Sequence, residues 1–295
     1  MRRLFLIVSI SFFLVGLNLN SESKKGIDLT KQKWIHGSQD CKNNRDPFIQ
    51  VVRYNANTWM LRQNKCIHYE APFIFLLVGT DQSLLIDTGA TVDEKSFPLR
   101  HVVDSIFLAN NLNQKLVVAH THSHGDHIAA DEQFKTRTNT EVIGLSWDAV
   151  QGYFGFTDAN SNSSMDLGNR AINVLSIPGH HPTSLAFYDS QTNLLFTGDT
   201  FYPGRLYVRD WLAFKKSVKL MRRFAEEKNV TQLIGNHIEM TSKKGVDYPV
   251  GSTFQPDEHI LPLTIEQLKE LDKALDQLGD LPRREIHHHF IIYPK

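Results

Sequence analysis

The sequence predicts an α/β (α+β) protein in which two similar sheets pack face to face with helices outside them. Three observations carry this expectation. Each half of the chain runs through strands first, then a helix, then a further strand. The polar residues that stand out follow strands, where loops gather at one rim of a sheet. A length of 295 residues is ample for a sizeable core. The likeness between the halves is one of element order only, with no residue-level repeat.

The first residues read as a targeting segment. Arg2 and Arg3 form a charged start, Leu4 to Leu17 is almost wholly apolar, and Asn18 to Lys25 is polar. The apolar run is short for a bilayer span and fits a secretory signal peptide over residues 1–23. It lacks a good small-residue cleavage site, so an uncleaved membrane anchor is the alternative. Residues 24–295 then form a single domain that is exported, to the periplasm or outside the cell.

Asn18 to Asp46 is an irregular lead-in. Strands are expected at Ile49–Val52, Thr58–Leu61 and Phe73–Val78, and Gly79-Thr80-Asp81 reads as the turn into a strand over Ser83–Ile86. A helix is expected over Pro98–Asn110, with Pro98 suited to its first turn and Val102, Val103, Ile106 and Phe107 on its apolar face. A buried strand over Lys115–Ala119 and a short one over Glu141–Leu145 follow. Ser146–Phe156 is a helix candidate, and the Ser- and Asn-rich stretch Gly155–Gly168 is expected to be a loop and the best internal boundary.

The second half repeats the order. Strands are expected at Ala171–Ser176, Leu185–Asp189, Leu194–Gly198 and Gln232–Gly235, and a helix over Leu212–Lys228. The last helix has Thr264 as N-cap and Gln267 as its capping-box partner. Its buried stripe is Leu268, Leu271, Leu275 and Leu278, and Gly279 stops it. Arg283–Tyr293 is expected to close the chain as a strand.

Lys plus Arg and Asp plus Glu both number 32, so the formal net charge is zero. That disfavours a nucleic-acid partner gripped by an overall basic surface. No partner protein is indicated, and membrane contact is expected only through an uncleaved N-terminal anchor. The two cysteines, Cys41 and Cys66, have no metal-ligand spacing and read as a structural bridge or buried thiols.

The chemistry concentrates in Thr121-His122-Ser123-His124-Gly125-Asp126-His127. Three imidazoles and a carboxylate stand within six residues, at the end of a strand. Imidazole suits zinc, and a carboxylate suits harder ions or a bridging role. His122 and His124 are two apart, so an extended backbone points them to one side. Gly125 permits a sharp turn, after which Asp126 and His127 open a helix expected to run through Ala130 to Phe134. Four more polar residues follow apolar strands: Asp87, His180, Asp199 and His237.

This ordered set, His122-Ser123-His124-Gly125-Asp126-His127 with His180, Asp199, His237 and the upstream Asp87, resembles the metallo-β-lactamase-fold superfamily. All five motifs stand in the usual order between Asp87 and His237. The resemblance implies a four-layer αβ/βα sandwich with a metal site at one edge. It implies that His122, His124 and His180 hold one metal, that Asp126, His127 and His237 hold a second, and that Asp199 bridges them. Asp87 would accept hydrogen bonds that orient the ligands. His181 competes with His180 for the same role, and the superfamily pattern favours His180. A histidine rather than an acid at His124 favours two zinc ions over a di-iron pair, with iron or manganese as alternatives.

Asp199 steers the functional expectation. True β-lactamases of this fold lack the bridging aspartate, whereas glyoxalase-II-like thioesterases, lactonases and phosphodiesterases keep it. The resemblance therefore implies a metallo-hydrolase that uses a metal-held hydroxide, positioned with help from Asp126, on a small ester, thioester, lactone or phosphoester. The alternatives are a mononuclear iron enzyme like the persulfide dioxygenases, a β-lactamase, and a non-catalytic metal-binding module at the cell envelope. Tyr202, Arg205 and Tyr207 are candidate contacts for a substrate carboxylate or phosphate, because guanidinium matches those groups bidentately. A solvated turn is the competing reading for them.

Overall fold

Strand β3, Phe73–Val78, is buried at every position and supplies two cores at once. Successive side chains in a strand point to opposite faces. Phe75 and Leu77 enter the core between the sheets, while Ile74, Leu76 and Val78 enter one beneath helices. A strand covered on both faces reads as a continuous apolar run, which is why Phe73–Val78 stands out in the sequence. The computed structural model describes residues 26–295, so the segment assigned to residues 1–23 lies outside them.

The first sheet has six strands in chain order: β1 (Ile49–Asn55), β2 (Thr58–Gln63), β3, β4 (Gln82–Ile86), β5 (Lys115–Ala119) and β6 (Thr140–Val142). Strands β1 to β4 are antiparallel neighbours, and β4, β5 and β6 run parallel. Four strands in the second sheet precede its helix: β7 (Asn162–Asp166), β8 (Ala171–Ser176), β9 (Leu185–Asp189) and β10 (Leu194–Gly198). A short strand β11 (Arg205–Val208) leaves the sheet, and β12 (Gln232–Gly235) and β13 (Pro262–Leu263) complete it in the order β13-β12-β10-β9-β8-β7. Strands β14 (Glu285–Ile286) and β15 (Ile291–Pro294) pair with β11 in a small third sheet.

Phe75 and Phe196 meet between the two large sheets, with ring centroids 4.5 Å apart. Helix α1 (Leu99–Ala109) covers the first sheet, and α2 (Gly125–Ile128) and α3 (Asp131–Lys135) follow the His-rich loop. Next comes α4 (Trp147–Phe154). Helices α5 (Trp211–Glu227) and α6 (Ile265–Leu278) cover the second sheet, packing Val218, Met221, Leu271 and Leu275 onto Leu195 and Leu233. Each such buried side chain contributes about 1.5–3 kcal/mol. The layers are those of a four-layer sandwich. Thr264 caps α6 in a full capping box with Gln267, and Gly279 ends it.

Three local expectations are corrected. The Ser- and Asn-rich stretch is not wholly a loop: β7 pairs antiparallel with β8, Ser163 opposite Val174. As an edge strand whose residues are half-buried at most, it needs no apolar alternation, so nothing in its composition marks it. Nor does it divide the chain. Arg170, just beyond it, is buried against Asp189 and donates to Val78 O and Thr58 Oγ1, tying the second sheet to the first. The helix expected from Asp126 to Phe134 is two short ones, α2 and α3. The C-terminal strand is a hairpin, β14 and β15, with His288 and His289 in its turn.

Cys41 and Cys66 form a disulfide, Cα atoms 5.0 Å apart. It pins the loop between β2 and β3, which reaches the site described next.

Candidate metal centre

Parallel pairing decides where the polar residues meet. Ile86 of β4 is in register with Ala119 of β5, so Asp87 and the stretch from His120 leave the sheet side by side. Phe196 of β10 is in register with Ile234 of β12, which places Asp199 beside Asn236 and His237. The two rims are stitched together where Phe73 N–H donates to Asn236 O and Asn236 Nδ2 donates to Phe73 O and to Asp87 Oδ2. Gly198 has φ +56°, and a Cβ there would stand 2.8 Å from Thr121 Cβ. Only glycine lets the rims close this far.

Seven side chains converge in two groups. His122 Nε2, His124 Nδ1 and His180 Nε2 are 2.8 to 3.2 Å from one another. The ring nitrogens of His127 and His237 are 3.4 Å apart, and each is 3.5 Å from Asp126 Oδ2. Asp199 lies between the groups. Its Oδ2 is 3.5 Å from His127 Nε2, 3.8 Å from His180 Nε2 and 3.9 Å from His122 Nε2, and its Oδ1 is 3.3 Å from His237 Nε2.

The far side of each ring shows what the near side is for. His180 Nδ1–H donates to Tyr207 O at 2.8 Å, and His237 Nδ1–H donates to Glu70 O at 3.1 Å. Thr121 Oγ1 gives its proton to Asp87 Oδ2 and so faces His122 Nδ1 as an acceptor. A neutral imidazole donates from one nitrogen only, so the Nε2 atoms of His122 and His180 turn lone pairs toward each other at 3.2 Å. Asp199 Oδ1 is buried and accepts no hydrogen bond among the described residues. Facing lone pairs and an orphaned carboxylate oxygen call for a cation between them. Ligands on a tetrahedral zinc with bonds of about 2.0 Å stand roughly 3.3 Å apart, close to these separations. The donor set fits two metal ions.

Protonation follows the same division. Burial, with the neighbouring His127 charge, pushes His122 well below its usual range, and burial takes His180 down to about 4. Those rings are neutral, the state that binds metal. Burial would also lower His127 and His237, but the carboxylates of Asp199 and Asp126 outweigh it and hold both well above their usual range. Asp199 and Asp126 are held ionised in return, against the pull of burial.

Asp87 is fully buried and accepts from Thr121 N, Thr121 Oγ1 and Asn236 Nδ2, besides facing His127 Nδ1. Its φ of +68° is rare for a residue with a side chain and turns the carboxylate under the histidines. His181 hydrogen-bonds Thr183 and stays out of the His122, His124, His180 group. His120 pairs with Asp131 below the rim.

The substrate role expected of Arg205 is corrected. Arg205 is buried and donates to Asp247, Tyr248 O, Glu239 and Tyr207 Oη. Its fork is committed within the protein, because β11 tucks it beneath the cavity between two acids. Tyr202 is buried too, its hydroxyl on Arg205 O and Glu239. Tyr202 and Tyr207 both line the cavity, a space of about 390 Å³ that also meets Glu70, Arg209, Glu239 and Lys295. Of these, only Glu70 had a sequence signal, its place beside His68 and Tyr69 before β3. Arg209 and Lys295 reach the cavity through pairing of β11 with β15, which no local pattern announces.

The family model described as "Metallo-beta-lactamase superfamily" matches residues 70–274. The chain belongs to the metallo-β-lactamase superfamily. Among its relatives in the superfamily are a hydroxyacylglutathione hydrolase of Bartonella quintana and an acyl-coenzyme A thioesterase of Bos taurus. The first is 35% identical over 112 residues, 36% of this chain and 44% of the relative. The second is 26% identical over 175 residues, 48% of this chain and 62% of the relative. The chain thus spans about half of the curated relatives' lengths. Solved structures share the fold: a metallo-β-lactamase from Pontibacter korlensis has a TM-score of 0.53 at 15% identity, covering 77% of this chain and 99% of that one. One from Hirschia baltica has a TM-score of 0.53 at 14% identity, covering 77% and 97%.

Proposed function

We propose that this superfamily member is an exported dinuclear zinc hydrolase for acyl thioesters and related small esters. The observation that carries the reading is Asp199, whose two oxygens stand between the groups of His122 and His237. An acid in that place supports two metals sharing one ligand. The names of the two relatives, one for acylglutathione and one for acyl-coenzyme A, support acyl transfer to water over β-lactam opening. The Cys41–Cys66 bridge supports an oxidising compartment.

Two bound zinc ions would supply a lowered water pKa and charge for the substrate oxygen. The rest is the work of this chain. His122, His124 and His180 would hold one ion, Asp126, His127 and His237 the other, and Asp199 both. Tyr207 O and Glu70 O keep His180 and His237 turned to the centre. Asp126 is partly open to the cavity, where its second oxygen can accept a proton or a hydrogen bond from the attacking water. Tyr207 and Lys295 line the wall on which the leaving group would rest.

The test is metal quantification together with a panel of thioesters, esters, lactones, phosphodiesters and a chromogenic β-lactam, with His122→Ala as control. About two zinc per chain and thioester turnover lost in the control are expected. Tight binding of a single iron with oxygen uptake, or β-lactam turnover above all others, would overturn the reading.

A further inference from the structure

The metal cavity continues past His180 into a second groove of about 780 Å³, and His180 and Arg209 line both. Its walls differ in kind from those of the metal cavity. Trp147, Pro178, Pro182, Leu212 and Ala213 make them mostly of carbon. Leu212 stands at the first turn of α5 with 57% of its surface exposed. Trp147 is held by stacking on Phe156, planes 7° apart.

The groove is built rather than incidental. Gly179 has φ +138°, and a Cβ there would lie 2.4 Å from Phe214 Cα, so its floor presses directly on α5. Ser217 Oγ donates to Pro178 O, and the amides of Arg209 and Asp210 both donate to Gly179 O. Floor and helix are locked together, and a site formed before binding loses less on ordering.

We propose that this groove holds the acyl chain of the substrate, an unbranched hydrocarbon chain whose carbonyl sits at the metal centre. The proposal rests on the hydrolase reading above. Continuity through His180 places the chain on the same carbonyl that reacts. Carbon walls suit a hydrocarbon and would strip water from a carrier's amides and phosphates without replacing their hydrogen bonds. The carrier is left the polar side, by Tyr207 and Lys295. In the reaction the oxygen of water bonds to the acyl carbon, the carbon–sulfur bond breaks and the sulfur takes a proton. Arg209, at the junction, then faces the carboxylate product, which its planar fork matches.

The experiment uses acetyl, butyryl, octanoyl and dodecanoyl thioesters of one carrier with the metal-loaded protein. Specificity, kcat/KM, should rise about threefold per methylene until the groove is full, as burial of hydrocarbon predicts. Leu212→Asp should flatten that rise by roughly tenfold or more at octanoyl and leave acetyl turnover within about twofold, and Leu212→Met should restore it. Acetyl turnover with no gain from longer chains would overturn the subsite while sparing the hydrolase. If no thioester reacts, the hydrolase reading fails, and calorimetry with decanoate still decides the groove. Binding weakened by Leu212→Asp supports it, and no binding, or binding indifferent to the substitution, overturns it.

Discussion

Asp87 Oδ2 lies 2.9 Å from His127 Nδ1, with both side chains fully buried. The carboxylate takes the ring's outer N–H and leaves Nε2 facing Asp126, Asp199 and His237. It also accepts from Asn236 of the other rim, so one residue aligns candidate ligands from both sheets. Asp87→Asn keeps the shape and removes the charge. Its affinity for the second zinc should fall about 10- to 100-fold, with the His122, His124, His180 site little changed. Competition titration with a chromophoric chelator measures both steps, and two unchanged affinities would refute the assignment.

Asp199 lies between the two groups and, in the proposed dinuclear reading, is the ligand they would share. Asp199→Ala should lower bound zinc from about two per chain toward about one, and turnover should fall with it. Elemental analysis after dialysis reads the first effect without reference to activity. Retention of both ions would mean that Asp199 does not bridge.

Arg205 makes a structural prediction rather than a substrate one. Its removal leaves Glu239 and Asp247 without their cation beneath the cavity. Arg205→Met should cost about 3–5 kcal/mol in denaturant unfolding, as broken buried pairs do. The KM for anionic substrates should not rise selectively in the folded fraction. A selective rise without loss of stability would restore it as a substrate contact.

Lys65 gives a pH prediction. It is almost wholly buried, its ammonium donating to Tyr69 O, and burial, with Arg62 nearby, brings its pKa down to about 8. Between that value and its ordinary range near 10.4 the unfolded chain holds the extra proton, so stability should increase with pH over this window. The gain is about 3 kcal/mol for a shift of this size. Lys65→Met should remove that rise, so the stability difference between wild type and variant in urea unfolding should climb by about 3 kcal/mol from pH 7.5 to about 10.5. A parallel rise in both proteins would assign it elsewhere. Lys65 also holds the loop whose Glu70 O orients His237, so the variant should weaken the second zinc.

Much of the fold was legible because burial leaves a period in the sequence. Phe73–Val78 and Leu194–Gly198 read as strands, and the stripe of α6 with its Thr264 cap read as a helix with both ends. Where burial is slight the signal fails. β7 is an edge strand held by backbone hydrogen bonds, and those are available to any sequence. Four of the seven convergent side chains, His122, His124, Asp126 and His127, could be named because their residue types are few and their spacing is local, and His180, Asp199 and His237 because each follows an apolar strand or lies in a turn between two. The family resemblance sorted them into two groups.

By itself, then, the sequence determined the candidate ligand types, their order and the strands that carry them. Tertiary structure alone decided the company each keeps. Arg205 and Arg209 are the same residue type four positions apart, yet Arg205 opens β11 and is buried between Glu239 and Asp247, while Arg209 stands just past the strand's end and lines the cavity. Glu70 and Lys295 come to the metal cavity from opposite ends of the domain, through a disulfide-pinned loop and a parallel strand pair. Residues that approach the site from such separations carry no shared pattern, because their meeting is set by packing and strand pairing over the whole chain.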